Sequence, residues 1–373
     1  MFKPKLIFFL ALGFVSNHFA SEGWAAKICE SSLRPGQSLG LFKIDPKSRR
    51  SSAIEFEILP NTRSFVISAD PEGGTVAHDL MIAEIRDPDG KIFVAQSFTK
   101  PNCRKGCFGN RAYFPASASQ MIPNDATFPK LKAGKWRAVV ESSVAIDLAV
   151  SLRVQSQVLL ASSQKMDRRT FKIYLYLTGS NGLSNKTFLD STFNRETLPK
   201  MKAIFEKSNI KVEIKSVYAL PKKFQKLSMI DEAGSISLTQ LYAKLPLRDD
   251  GFNLIVVDEL KSDIGSGFAD GVSPGAPASL NKPHIVISNR PRSGERRLPT
   301  HALIAHEVAH GLGLFHVEEF DGLKDPLSST QVGQGDLMDI NYSGDLSDQA
   351  AWAFNLEQSL VIRSHPYVVP FVR

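Results

Sequence analysis

The run His306-Glu307-Val308-Ala309-His310-Gly311-Leu312-Gly313-Leu314-Phe315-His316 constrains this chain more than any other stretch. On a helix, positions four apart share a face, so His306 and His310 project side by side. Two ring nitrogens placed that way can meet one ion at about 2.0–2.1 Å without bending the backbone. Glu307, at the edge of the same face, is poorly placed as a third ligand and well placed to take a proton from an activated water. Gly313 allows a left-handed residue at which the helix can end, and the turn can then return His316 to the same ion. The intervening Val308, Ala309, Leu312, Leu314 and Phe315 are apolar. Leu303, Ile304 and Ala305 extend the apolar surface upstream, and Pro299 suits a first helical turn. This spacing predicts a buried helix carrying a Zn2+ site of three imidazoles, with Glu307 as the catalytic base.

From His306 to His316 the chain matches the extended zinc signature of the metzincin metalloproteases, His-Glu-x-x-His-x-x-Gly-x-x-His, and so resembles that clan. The resemblance implies peptide hydrolysis at one catalytic Zn2+ ion held by His306, His310 and His316. It also implies a methionine-containing turn beneath the metal. Gly335-Asp336-Leu337-Met338-Asp339 supplies it, with Met338 lying 22 residues beyond His316 as a soft, polarizable floor. Leu346-Ser347-Asp348-Gln349 resembles the opening of the C-terminal helix found in many members. Several metzincin families place a tyrosine two positions after the turn methionine, where it helps to stabilise the transition state. Here that position is Ile340, and the nearest tyrosine is Tyr342. Gly313, Met338 and Tyr342 are therefore the supporting residues. Val317, directly after the third histidine, assigns the chain to no metzincin subfamily. The resemblance covers about the last two hundred residues in architecture, and its motifs occupy 306–316 and 335–349.

A chain of 373 residues is long enough for two cores, and 43% hydrophobic with 22% charged residues is ordinary globular composition. The net charge of +7 comes from short, scattered clusters such as Lys47 to Arg50, Lys222-Lys223 and Arg296-Arg297. None is interleaved with aromatics, so no nucleic-acid partner is expected. Lys3 and Lys5 precede an apolar run from Leu6 to Val15, ten residues long and too short to span a bilayer. Gly23 and Ala25 make a small-x-small cleavage site, so residues 1–25 read as a signal peptide. The mature protein is expected in a periplasmic or extracellular location, without a membrane span and as a monomer. Cys103 and Cys107 flank a short glycine-containing loop that can close as a disulfide in an oxidising compartment, leaving Cys29 unpaired. A bridge from Cys29 to either is equally compatible with the sequence.

Two grammars follow the signal segment. Ala53 to Ile58 and Ser64 to Ser68 alternate with a period of two, and Asp87-Pro88-Asp89-Gly90 is a turn leading into Lys91 to Val94. Lys132 to Val140 and Ile146 to Val154 continue the pattern, which predicts an antiparallel β-sandwich over 26–157. The Asp-Pro-Asp-Gly turn and the Ala-Gly-Lys-Trp strand entry resemble the jelly-roll modules of secreted bacterial peptidases, which implies an accessory or pro domain. Residues 158–169 suit a linker. Over 170–373, strands at Phe171 to Leu177, Ile210 to Val217 and Phe252 to Val257 alternate with helices near 191–208 and 237–245. An α/β catalytic domain results, with the zinc helix packed on its sheet. Either His284 to Ser288 or Gly265 to Ala269 is the expected sheet edge for an extended substrate, and Gly271 to Pro277 a rim loop. His284, His301 and His365 lack ligand spacing and read as structural or surface residues.

The function this predicts is a secreted, multidomain zinc endopeptidase acting on protein or peptide substrates. The alternative is a secreted binding or adhesion protein whose metzincin-like domain has lost activity. Hydrolysis of a non-peptide amide at the same residues is a third reading. The sequence leaves cleavage specificity and any calcium requirement open.

Overall fold

The computed structural model describes residues 37–72, 80–98, 117–123, 131–158, 168–229, 236–261, 268–273, 277–280, 282–289, 298–318, 325–330, 336–339 and 352–371. The first nine strands are β1 (Gln37–Asp45), β2 (Arg50–Ser51), β3 (Ile54–Ile58), β4 (Thr62–Pro71), β5 (Leu80–Arg86), β6 (Ile92–Ala95), β7 (Ala118–Ile122), β8 (Gly134–Ser142) and β9 (Leu148–Val158). They form one antiparallel sheet in the order β6-β5-β8-β2-β1-β9-β4-β7, with β3 also pairing with β8. The Asp87 carboxylate caps the predicted turn by accepting from the backbone N–H groups of Asp89 and Lys91, and Gly90 takes a positive φ of 83°. The Phe65 ring of β4 meets Phe56 of β3 and Trp136 of β8 edge to face, at 5.5 and 5.2 Å. These strands lie far apart in the sheet order, so the sheet doubles over a single core, as the period-two pattern requires. Trp136 is fully buried because its indole N–H donates to the Lys132 carbonyl.

β4 departs from the half-buried strand its alternation predicts, because both faces are covered. Phe65, Ile67 and Ala69 enter the core between the sheet halves, while Val66 joins a second core shared with the C-terminal half. The polar residues on that second face are buried too. Ser64 donates to the Ser364 carbonyl, Ser68 accepts from the Leu280 N–H, and Asp70 accepts from the Ser279 hydroxyl at 2.7 Å. On β9, one amide of Gln157 donates to the carbonyls of Arg363, His365 and Val368. A face that reads as solvent-exposed in the sequence is a hydrogen-bonded seam.

The C-terminal half holds β10 (Arg169–Leu177), β11 (Ile210–Ala219), β12 (Lys226–Ser228), β13 (Ile236–Ser237), β14 (Phe252–Val257), β15 (Glu259–Lys261), β16 (Phe268–Ala269), β17 (Gly271–Val272), β18 (His284–Ser288) and β19 (Val369–Pro370). Its helices are α1 (Leu198–Glu206), α2 (Leu238–Lys244), α3 (Thr300–Gly311) and α4 (Leu356–Ser364). The main sheet runs β11-β10-β14-β18-β17, with β19 added to β10; β10, β11, β14 and β18 are mutually parallel. β12, β13, β15 and β16 form a small separate sheet. β14 and β18 are buried at every residue, because α1, α3 and α4 contribute to the core on one face and α2 to the core on the other. Among the described residues no helix is long and apolar enough to cross a membrane.

Several expectations need correcting. His284 to Ser288 is not a sheet edge: β18 lies between β14 and β17. The outer position belongs to Gly271–Val272, part of the stretch read as a rim loop. Of the two readings given for His284 and His365, structural or surface, their burial favours the structural one, and it pushes their imidazoles down to about 4 and about 3. The helix expected near 191–208 is regular only from Leu198, after a wider turn at Phe193–Thr197. Pro299 caps α3 rather than entering it. Cys29, Cys103, Cys107, Tyr342 and Leu346 to Gln349 lie outside the described residues, as do residues 1–36 and 159–167.

Asp70 generates a pH prediction. Full burial raises its carboxyl to about 7, against the lowering effects of the Ser279 hydroxyl and the Arg153 charge. A carboxyl with a raised folded-state pKa binds more protons in the native state than in the unfolded chain, so stability falls as pH rises from about 4 to about 7. Asp70→Asn removes that slope. Thermal unfolding from pH 4 to 8 should show the variant gaining on the parent as pH rises; parallel Tm profiles would refute the assignment.

Candidate metal centre

α3 approaches its sheet closely enough that only glycine fits at Gly311, where a Cβ would stand 2.6 Å from the Phe252 ring. The helix then ends in a Schellman turn. The Gly313 N–H donates to the His310 carbonyl and the Leu314 N–H to the Ala309 carbonyl, while Gly313 itself sits at φ 101°. The chain therefore doubles back, and His316 faces the helix it has just left.

The three imidazoles converge. His306 Nε2 lies 3.0 Å from His310 Nε2 and 3.2 Å from His316 Nε2, and the last two are 3.1 Å apart. Nitrogens held at about 2.0–2.1 Å around one tetrahedral ion stand about 3.3 Å from one another, so this donor set fits a metal ion. Its tautomers fit as well. His306 Nδ1 donates to the Leu337 carbonyl and His310 Nδ1 to the Leu314 carbonyl, each at 2.7 Å. With its proton on Nδ1, each of these rings turns a free lone pair on Nε2 toward the centre. Burial, followed by the fields of His316 and His306, holds the His310 imidazole well below its usual range and so neutral. The three-histidine group could thus hold a metal ion.

Asp336–Asp339 backs the histidines through its backbone carbonyls. Met338 is fully buried, its carbonyl accepts from the Val317 N–H, and its neighbour Leu337 orients His306. The Asp336 carboxylate ties this segment together by accepting from the Met338 N–H and from the Gln358 side chain of α4. α4 opens with a capping box in which Asn355 and Gln358 bond reciprocally, a signature the sequence carries as Asn-x-x-Gln.

Glu307 is 7% exposed and packs against β17. A Cβ on Gly271 would lie 2.8 Å from both Glu307 Cγ and Oε1, so glycine at this position leaves room for the carboxyl. Burial raises the Glu307 carboxyl to about 8; the Ser273 backbone N–H opposes the shift and the Asp270 charge adds to it. Gly271, Ser273 and the Leu337 carbonyl are contributors that the sequence reading missed. Backbone donors leave no trace in residue type, and one glycine in a glycine-rich stretch reads as a turn.

No protein-family model matches the chain, and no curated protein sequence matches it. Among solved structures it is similar to metalloproteinase-II from Bacteroides fragilis, at 13% identity and a TM-score of 0.33, with 55% of this chain and 55% of that chain covered. It is also similar to Xylanase10C from Cellvibrio japonicus, at 8% identity and a TM-score of 0.17, covering 51% of this chain and 35% of that one. A family two carbohydrate esterase from Clostridium thermocellum matches at 10% identity and a TM-score of 0.15, over 62% of this chain and 69% of that chain. These scores are too low to transfer a fold or an activity. What the site defines by itself is a three-histidine group that could hold a metal ion, at the end of a helix packed on an α/β sheet.

Gly313→Ala tests the turn. A side chain at φ 101° is strained, and its Cβ would meet Met121 Sδ at 3.1 Å. The expected cost is about 1–3 kcal/mol, seen as a lower Tm, together with faster metal loss to a chelator. A variant matching the parent in both would show that the turn tolerates a side chain.

Proposed function

We propose that the protein is a zinc endopeptidase of the metzincin type that works outside the cytoplasm. The observation that supports this best is the convergence of three imidazoles within 3.0–3.2 Å, directly beside a buried glutamate. His306, His310 and His316 would hold the ion through Nε2. Zinc bound there supplies Lewis acidity toward a carbonyl oxygen and toward water. Glu307 takes a proton from the attacking water as the new C–O bond forms, and delivers it to the amine nitrogen as the C–N bond breaks. Burial alone would leave the Glu307 carboxyl protonated at neutral pH; a dication beside it favours the carboxylate that a base must be. The outer position of β17 in the sheet order, next to Glu307, suits pairing with an extended peptide backbone.

In the same reading Met338 forms the floor of the site and Tyr342 assists the transition state. Residues 1–25 are an export signal, 26–157 a β-sandwich module, 158–169 a linker and 170–373 the catalytic domain. Cys103 and Cys107 form a disulfide in the oxidising compartment that export implies.

The test is zinc content together with casein hydrolysis by the purified protein and two variants. Glu307→Gln should keep one zinc per chain and lose cleavage by at least about 100-fold, the low end of what positioned acid–base catalysis contributes. Gly271→Ala should also keep zinc and lose activity, because its methyl displaces the Glu307 carboxyl. Turnover retained in Glu307→Gln would overturn the mechanism, zinc without any cleavage would favour the binding-protein reading, and no zinc would overturn the metal assignment.

A further inference from the structure

We propose that the first sheet is a fixed part of the metal centre's support, and that Met121 of β7 is the positioning residue for His316. The proposal rests on the reading that the three imidazoles hold a metal ion. His306 and His310 are held by the helix that carries them, whereas His316 arrives through a turn. The chain just beyond it is tied by the Val317 N–H to the Met338 carbonyl, and the turn just before it rests on what packs against it from outside. Gly313 has no side chain to anchor itself, and the atom packed over it is Met121 Sδ, 3.1 Å from where a Cβ would stand; the next atom, Val361 Cγ1, is at 3.8 Å.

Met121 is 0% exposed and shares a core with Leu312, Leu314 and Val317 on either side of the turn, although it is almost two hundred residues distant in sequence. It cannot withdraw easily. Met121 pairs with Val66 of β4, and β4 is pinned to the C-terminal half by Ser64 to Ser364, Ser68 to Leu280 and Asp70 to Ser279. The seam bonds flank Val66 on both sides and fix β4, with β7 beside it, against α4 and the Ser279–Leu280 segment, whose neighbour Ala278 donates its N–H to the Gly311 carbonyl at the end of α3. A removable pro-segment would leave the Gly313 turn without its cover. The first sheet is instead built into the site.

The experiment measures zinc affinity by chelator competition, and the visible absorption of the Co2+-substituted full-length protein. Met121→Ala should weaken zinc binding by about 10-fold or more, as loss of outer contacts to a ligand typically does. It should also shift the cobalt bands, which report ligand geometry. Met121→Leu, close in volume, should restore both. Met121→Val suits a strand and also falls short of Gly313, so it replaces the alanine variant if that one does not fold. Met201→Ala makes the same truncation in the same core, on α1, and should lower Tm while leaving affinity and spectrum in place. Unchanged affinity and spectrum in the Met121 truncations, or an equal shift in Met201→Ala, would overturn the proposal alone. Failure of the unaltered protein to bind either metal would overturn the three-histidine reading and the proposal with it.

Discussion

Three imidazole nitrogens pointing at one place is an arrangement that the rest of the molecule has to enforce. Their lone pairs repel, and burial keeps the His310 imidazole well below its usual range, so that ring takes up no proton to relieve the repulsion. The fold enforces it with backbone. The carbonyls of Leu337 and Leu314 fix two rings by their Nδ1 protons, and each carbonyl is itself fixed by a turn. One turn is closed by the Asp336 carboxylate, the other by the left-handed Gly313. α4 then earns its place by clamping Asp336 through Gln358. A cation at the centre would convert this repulsion into cohesion, so stability and metal binding are one quantity here.

The centre itself was legible because its chemistry is local. Ligand spacing on a helix, a glycine where the chain must turn left-handed and an apolar flank are all written within eleven consecutive residues. The alternating strand β3 of the first sheet was readable for the same reason, since it shows buried and exposed residues in strict succession. What could not be read was anything set by an encounter between distant segments. The closeness of Gly271 to Glu307 and of Gly311 to Phe252 belongs to this class.

β4 shows the limit most clearly. Ser64, Ser68 and Asp70 alternate with Phe65, Ile67 and Ala69 just as a solvent-facing edge would, and a residue-by-residue reading assigns them to water. Small hydroxyl side chains serve a second use in the fold. They let two surfaces approach closely while replacing water hydrogen bonds with bonds to backbone groups across the seam. Periodicity reports which residues share a face; it does not report what covers the face. The same confusion affected β18, whose apolar run fits an edge or an interior strand equally well until its neighbours are known.

The seam also sets the order in which the molecule can be completed during synthesis. Ser64 finds its partner 300 residues later, and Gln157 waits for carbonyls between Arg363 and Val368, almost at the end of the chain. At roughly 5–20 residues per second, about 15–60 s separates the emergence of Ser64 from that of its acceptor. Throughout that interval Val66, Met121 and their polar neighbours present an uncompleted surface, and no intermediate made of the N-terminal strands alone can satisfy it. The seam closes only when α4 and the residues leading into β19 arrive.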